Sequence, residues 1–177
     1  MDSADPFGGQ PAALFLSGPI GAGKTSLGRY LVRQWGGEFI EGDDHAATGK
    51  PWFASSLSTV RALLSAANAA SRIAGLAVVA YPLRRREWVY LSRHLASAGT
   101  QALCVNLAVD MADLDAPARG RKLASHERRR SAEMIRQGYA SRPFAALTLD
   151  TGRLSLRDCA RQLRLAFPDL AGLPPAM

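Results

Sequence analysis

The run Gly18-Pro19-Ile20-Gly21-Ala22-Gly23-Lys24-Thr25 constrains this chain more than any other stretch. Its spacing is G-x-x-x-x-G-K-[ST], the phosphate-binding loop pattern. Small residues let the backbone wrap an anion so that successive N–H groups turn inward. A helix that starts at the end of the loop adds its N-terminal partial positive charge. The flanks supply what such a loop needs. Ala12-Ala13-Leu14-Phe15-Leu16-Ser17 reads as a buried strand, and Thr25 to Trp35 reads as a helix with Leu27 and Leu31 one turn apart, stopped by Gly36-Gly37. In this pattern Lys24 reaches the outer phosphates of a nucleotide and the Thr25 hydroxyl takes Mg²⁺. Gly18, Gly21, Ala22, Gly23 and Ser26 complete the expected ATP cradle.

Beyond the loop, strand and helix signals alternate. Glu38 to Glu41 is a short strand, and Phe53, Leu57, Val60, Leu64 and Ala67 predict a helix over 53–72. Leu76 to Tyr81 is a third strand, and Trp88, Leu91, Leu95 and Ala98 give the next helical stripe. Ala102 to Ala108 and Leu147 to Leu149 are two more strands, with a helix over 125–137 between them. A last helix opens at Ser155 with Asp158 as its capping partner, Leu156, Cys159 and Leu163 lining one face. The segment 111–123, with Asp113, Asp115, Pro117 and Gly120, reads as a mobile loop. The strands are unbroken apolar runs. That predicts an α/β fold with a five-stranded parallel sheet sandwiched by helices. One domain is expected over 12–167, with a flexible N-terminus at 1–11 and a flexible tail at 168–177.

Composition narrows the class. The chain has 177 residues and a formal charge of +7. Its positive charge is carried by 19 arginines against the 3 lysines Lys24, Lys50 and Lys122. No run reaches the about 18 apolar residues of a membrane helix, and residues 1–11 lack the pattern of a signal peptide. Cys104 and Cys159 alone make neither a disulfide framework nor a zinc site. A cytoplasmic setting with no membrane partner is expected. Guanine recognition wants an Asn-Lys-x-Asp run after a later strand. Asn106-Leu107-Ala108-Val109 lacks its Lys and Asp, so ATP is expected rather than GTP.

In an open α/β sheet, ligands bind at the carboxyl ends of strands. Asp43 follows the second strand as the loop follows the first. If those two strands flank the sheet's crevice, Asp43 faces the γ-phosphate, where a carboxylate takes the acceptor's hydroxyl proton. Asp44 is its competitor, and His45 a surface residue. Arg84, Arg85 and Arg86 open the third helix near that end, and three consecutive residues do not share a helical face. Arg128 to Arg130 reads as a solvated helix face. Trp52, Phe53 and Tyr81 are candidates for the pocket wall or the core.

Four blocks together resemble the small-molecule kinases of the shikimate kinase, gluconate kinase and adenylylsulfate kinase group. They are the loop, Phe39-Ile40-Glu41-Gly42-Asp43-Asp44-His45, Ala80-Tyr81-Pro82-Leu83-Arg84-Arg85-Arg86-Glu87, and the basic run Arg119-Gly120-Arg121-Lys122 with Arg142-Pro143-Phe144 and Leu149-Asp150-Thr151 after it. The resemblance implies a P-loop NTPase fold of the nucleoside-monophosphate-kinase type, with a mobile lid at about 112–124. It implies ATP-dependent phosphoryl transfer to a hydroxyl of a small, anionic acceptor. Lys24, Asp43, Arg119 and Arg121 are then catalytic, and Arg119 and Arg153 join the ATP site. Asp43, Asp44, Arg84, Arg85 and Arg142 bind substrate, while Thr25 and Glu41 hold Mg²⁺. Two departures stand out. There is no glycine triplet after the third strand, which sets shikimate aside, and Val79-Ala80-Tyr81 ends that strand without an acidic residue. The alternatives are a nucleoside, nucleotide or polynucleotide-end kinase, and a nucleotide-binding regulatory protein with no acceptor. The arginines are spread among loops, so nucleic acid is not the expected partner. A monomer or homodimer is expected.

Overall fold

The computed structural model describes residues 10–45, 52–114, 116 and 122–168, with the backbone alone for 52–56. Strands β1 (Ala12–Ser17), β2 (Glu38–Glu41), β3 (Leu76–Ala80), β4 (Gln101–Ala108) and β5 (Leu147–Asp150) alternate with helices. The helices are α1 (Lys24–Trp35), α2 (Trp52–Ala74), α3 (Arg85–Ser97), α4 (Met111–Leu114), α5 (Ser125–Arg136) and α6 (Leu156–Ala166). A 3₁₀ turn, Gly42–His45, follows β2. The sheet runs β2-β3-β1-β4-β5 and every pairing is parallel.

All six residues of β1 are buried, because the strand is central and covered on both faces. Successive strand side chains point to opposite faces. Leu14 and Leu16 therefore meet Leu27 and Leu31 of α1 and Leu163 of α6. Ala13 and Phe15 meet Leu63 and Ala67 of α2 and Leu91 and Leu95 of α3. Burial on both faces is why the strands read as unbroken apolar runs. Cys159 and Cys104 lie in the cores on opposite faces, both free. Burial pushes their thiols up to about 11 and about 12, so neither is a thiolate at neutral pH. Among the described residues no helix is long and apolar enough to cross a membrane.

Several expectations change. β3 stands between β1 and β2, so the first two strands do not flank one crevice. The buried stripe of α2 runs through Val60, Leu63, Ala67 and Ala70, while Leu57 is 52% exposed. A helix of 23 residues is about 35 Å long, about twice the strands it covers, so it extends past the sheet. Leu156 likewise sits on the rim, with Cys159 and Leu163 buried behind it. The segment from 111 is not all loop, since Met111–Leu114 forms a helical turn. Asp110 Oδ1 caps that turn by accepting from Asp113 N at 2.8 Å, and Leu114 is buried. The residues 1–9 and 169–177 and the middle of the expected lid, 115 and 117–121, lie outside the described residues.

Phe15 is fully buried and meets Trp88 edge-on at 5.9 Å. Phe15→Ala should cost about 3–5 kcal/mol and lower the urea midpoint without changing the slope. Ile73, 85% exposed, should tolerate alanine within about 0.5 kcal/mol.

Candidate active site

The loop closes around its own lysine. Lys24 Nζ donates to Gly18 O at 3.0 Å and Pro19 O at 2.8 Å. Two further carbonyls are held from outside. Ser131 Oγ donates to Ile20 O at 2.7 Å and Thr151 Oγ1 to Ala22 O at 2.9 Å. In a trans peptide the carbonyl and the following N–H point in opposite directions. Fixing Ile20 O and Ala22 O therefore sets the directions of the Gly21 and Gly23 N–H groups. Gly18, Gly21 and Gly23 all take positive φ. At Gly18 a side chain is excluded twice over, since a Cβ there would lie 2.5 Å from Leu107 O.

Burial lowers the Lys24 ammonium to about 8, and the nearby Asp43 and Glu41 carboxylates limit the fall. Although β2 and β1 are not neighbours, the end of β2 reaches the loop. Thr25 Oγ1 donates to Glu41 Oε2 at 2.7 Å. Gly42 makes that approach fit, because a Cβ there would stand 2.6 Å from both Ala80 O and Tyr81 Cδ2. Tyr81, at a strand end without an acidic residue, thus packs against the turn that presents Asp43. Burial, and Glu87 after it, push the Tyr81 phenol up to about 12.

Two cavities meet here. The first, about 370 Å³, is lined by Ile20, Gly21 and Gly23 to Ser26 of the loop and by Glu41, Asp43, Leu114, Leu123 and Glu127. The second, about 290 Å³, runs on past Thr59, Tyr81, Arg84, Glu87, Arg130 and Tyr139. Ile20, Lys24, Glu41 and Asp43 belong to both walls.

The expected residues therefore separate. Asp43 is in both walls, Arg84 in the second, and Ser26 in the first. Asp44 is exposed and Arg85 is exposed at the first position of α3, and neither is in a wall of the two cavities. Three consecutive helix-start residues fan out, so only Arg84, the residue before the helix, turns inward. Arg128 to Arg130 lie on an exposed face as expected, and Arg130 also edges the second wall while pairing with Glu133 at 2.8 Å. Arg142 lies over the Tyr139 ring, 3.6 Å from its centroid. Arg153 is 84% exposed, 3.5 Å from Asp150. Arg119, Arg121 and the side chains of Trp52 and Phe53 lie outside the described residues.

Other residues went unread in the sequence. Glu87 caps α3 by accepting from Arg84 N at 2.8 Å, and Glu127 caps α5 by accepting from Ala124 N at 2.9 Å. Their signal was a glutamate at the third position of each helix, without the usual hydroxyl before it. Ser131 and Tyr139 gave no signal, since the Ile20 carbonyl and the Arg84 side chain they bond are far along the chain.

Thr25 and Glu41 offer hard oxygens side by side at the loop, and no group of three metal-binding side chains occurs among the described residues. That pair suits Mg²⁺, which keeps several waters and leans on substrate phosphates.

The lysine has a pH signature. An unfolded Lys24 keeps its proton to 10.5, and the folded one releases it at about 8. Between those values the unfolded chain binds more protons, so wild-type stability rises with pH across the window. Below it the whole burial penalty is present. Thermal melts should show Lys24→Met more stable than wild type at neutral pH, with the gap closing by about pH 10. A gap that ignores pH contradicts the depressed lysine.

The family model described as ATPase family associated with various cellular activities (AAA) matches residues 14–79. No curated protein matches the sequence. A gluconokinase from Sinorhizobium meliloti 1021 superposes with a TM-score of 0.66 at 19% identity, over 91% of this chain and 94% of its own. The Mycobacterium tuberculosis APS kinase, in complex with AMPPNP and APS, gives 0.66 at 18% identity, over 90% and 98%. The Acinetobacter baumannii shikimate kinase, in complex with shikimate, gives 0.59 at 20% identity, over 92% and 96%. At such identities the likeness is one of fold. The chain has the P-loop NTPase fold in the arrangement found in these small-molecule kinases, the group its motifs resemble.

Proposed function

We propose that this protein transfers the γ-phosphoryl group of ATP to a hydroxyl of a small, anionic molecule. The observation that carries this reading is the shared wall. Two reactants seated in the two cavities would meet at Lys24 and Asp43. In-line transfer needs that placement more than it needs covalent chemistry from the protein. Structural neighbours named as a gluconokinase, an APS kinase and a shikimate kinase support the same class.

In this reading the loop holds the ATP phosphates, and Lys24 leaves its carbonyl partners to meet them. Asp43 is assigned to accept the acceptor's hydroxyl proton and aim its oxygen, and its position in both walls, which Asp44 lacks, supports the choice. Thr25 and Glu41 would hold Mg²⁺, which neutralises charge on the phosphates. Arg119 and Arg121 are assigned to closing over the nucleotide and meeting charge on the transferring group. Arg153 sits on the turn that Thr151 ties to the loop, and is assigned to the base side. Arg84, in the second wall, is assigned to the acceptor's anionic group. Arg85 has no such position.

A coupled ADP-release assay across sugar acids, adenylylsulfate, shikimate, nucleosides and aminocyclitols tests the class. Turnover with at least one acceptor is expected, and ATP binding with no transfer to any would sink the reading. Asp43→Asn should keep ATP affinity and lose about a hundred- to ten-thousand-fold in kcat, whereas Asp44→Asn should stay near wild type. ATP binding above about pH 8 should take up a proton at Lys24. Calorimetry in buffers of different ionisation enthalpy reads that uptake, and a buffer-independent heat at that pH contradicts it.

A further inference from the structure

Tyr139 holds two arginines at once. Its side chain is buried in the wall of the second cavity, and Arg84 Nε donates to its Oη at 3.1 Å. The Arg142 guanidinium lies across its ring at 3.6 Å. Arg142 Nε is buried and has no hydrogen-bond partner, so the ring face holds that end of the guanidinium. The turn that carries Tyr139 is itself pinned. Asn106 Nδ2 donates to Ala140 O at 2.9 Å, and Tyr139 N donates to Met134 O at 3.0 Å.

We propose that Tyr139 is a positioning residue that joins Arg84, in the wall of the second cavity, and Arg142, stacked on its ring outside the lining residues, into one anion-recognition unit. The proposal rests on the kinase reading only in naming that cavity the acceptor side. An arginine free to rotate loses rotamer entropy when it grips an anion. A bond at Nε and a ring beneath the plane remove that loss beforehand. They also fix the guanidinium plane, the feature that a carboxylate, sulfate or phosphate group reads. Glu87, buried in the same wall and bonded to Arg84 N, holds the backbone end of Arg84, so the side chain is fixed at root and tip. The ligand class is therefore a small molecule bearing one tetrahedral or planar anionic group.

Inorganic sulfate is a suitable probe, titrated at constant ionic strength with ADP present so that the loop is filled. The readout is the arginine Nε–H signals of Arg84 and Arg142 in nitrogen–proton NMR spectra. In the wild type both signals should move with one common Kd, and the Arg142 signal should carry an upfield ring-current displacement. Tyr139→Phe should keep that displacement while the sulfate Kd weakens about tenfold. Tyr139→Leu should lose the displacement and weaken the Kd further. A wild type whose two signals ignore sulfate overturns the proposal, as does a Tyr139→Phe protein that binds sulfate with the wild-type Kd. Should the acceptor panel show no transfer, the kinase reading falls while this result still decides the role of Tyr139.

Discussion

Two hydroxyls, on Ser131 and Thr151, hold two carbonyls of a loop that lies 111 and 129 residues away in the chain. The anion-binding form of the loop is thus not a local property of G-x-x-x-x-G-K-T. It is completed by α5 and by the turn after β5, with Leu107 of β4 pressed against Gly18. Only a sheet that places β4 beside β1 and β5 beside β4 brings these groups together. The same tether reaches the chain between α4 and α5. Leu114 at one end of it and Leu123 near the other both stand in the first cavity's wall, and a Cβ on Gly21 would meet them at 2.7 and 3.1 Å. Both ends of the stretch that contains Arg119 and Arg121 are therefore anchored at the phosphate-binding loop.

The charge of +7 has to be set against what surrounds Lys24. Glu41, Asp43 and Glu127 face the first cavity together with that single lysine. The described part of the cradle is not a strongly positive basin, and its pull on phosphate comes from oriented backbone and helix terminus more than from net charge. The arginines are dispersed. Arg130 pairs with Glu133, Arg153 with Asp150, Arg29 covers the Phe39 ring at 5.7 Å, and Arg84 and Arg142 share Tyr139. A polyanion would want them along one face, so overall basicity says little about a partner here.

The strand and helix order was legible because two-sided burial leaves a plain mark, a run of apolar residues with a helix on each side. The loop was legible because its glycines, lysine and threonine are consecutive. What the chain hid was long-range or unaided by periodicity. Residues 111–114 held one helical turn whose cap is an aspartate three residues before its partner, too short to show a repeat. Leu57 obeyed the helical spacing and still lies in solvent, since spacing does not say where the sheet ends. The choice among Arg84, Arg85 and Arg86 was set by where the third helix begins, and a boundary is what spacing fixes least. Tyr139 earned its place only when folding brought residue 84 to it.

The acid missing from the end of β3 is the sequence's sharpest departure from the group it resembles, and strand register accounts for it. Tyr81 follows Ala80 at that point, and with its phenol pushed up to about 12 it stays neutral at any ordinary pH. It offers a flat wall instead of a charge, and Gly42 lies against it. In the next strand Glu41 pairs directly with Ala80. The carboxylate that meets the Thr25 hydroxyl therefore stands level with the end of β3, one strand further from β1. It crosses that distance because Gly42 brings the β2 end close over Tyr81. The carboxylate beside the Thr25 hydroxyl is thus supplied by β2, while Tyr81 and Gly42 pack together at the end of β3.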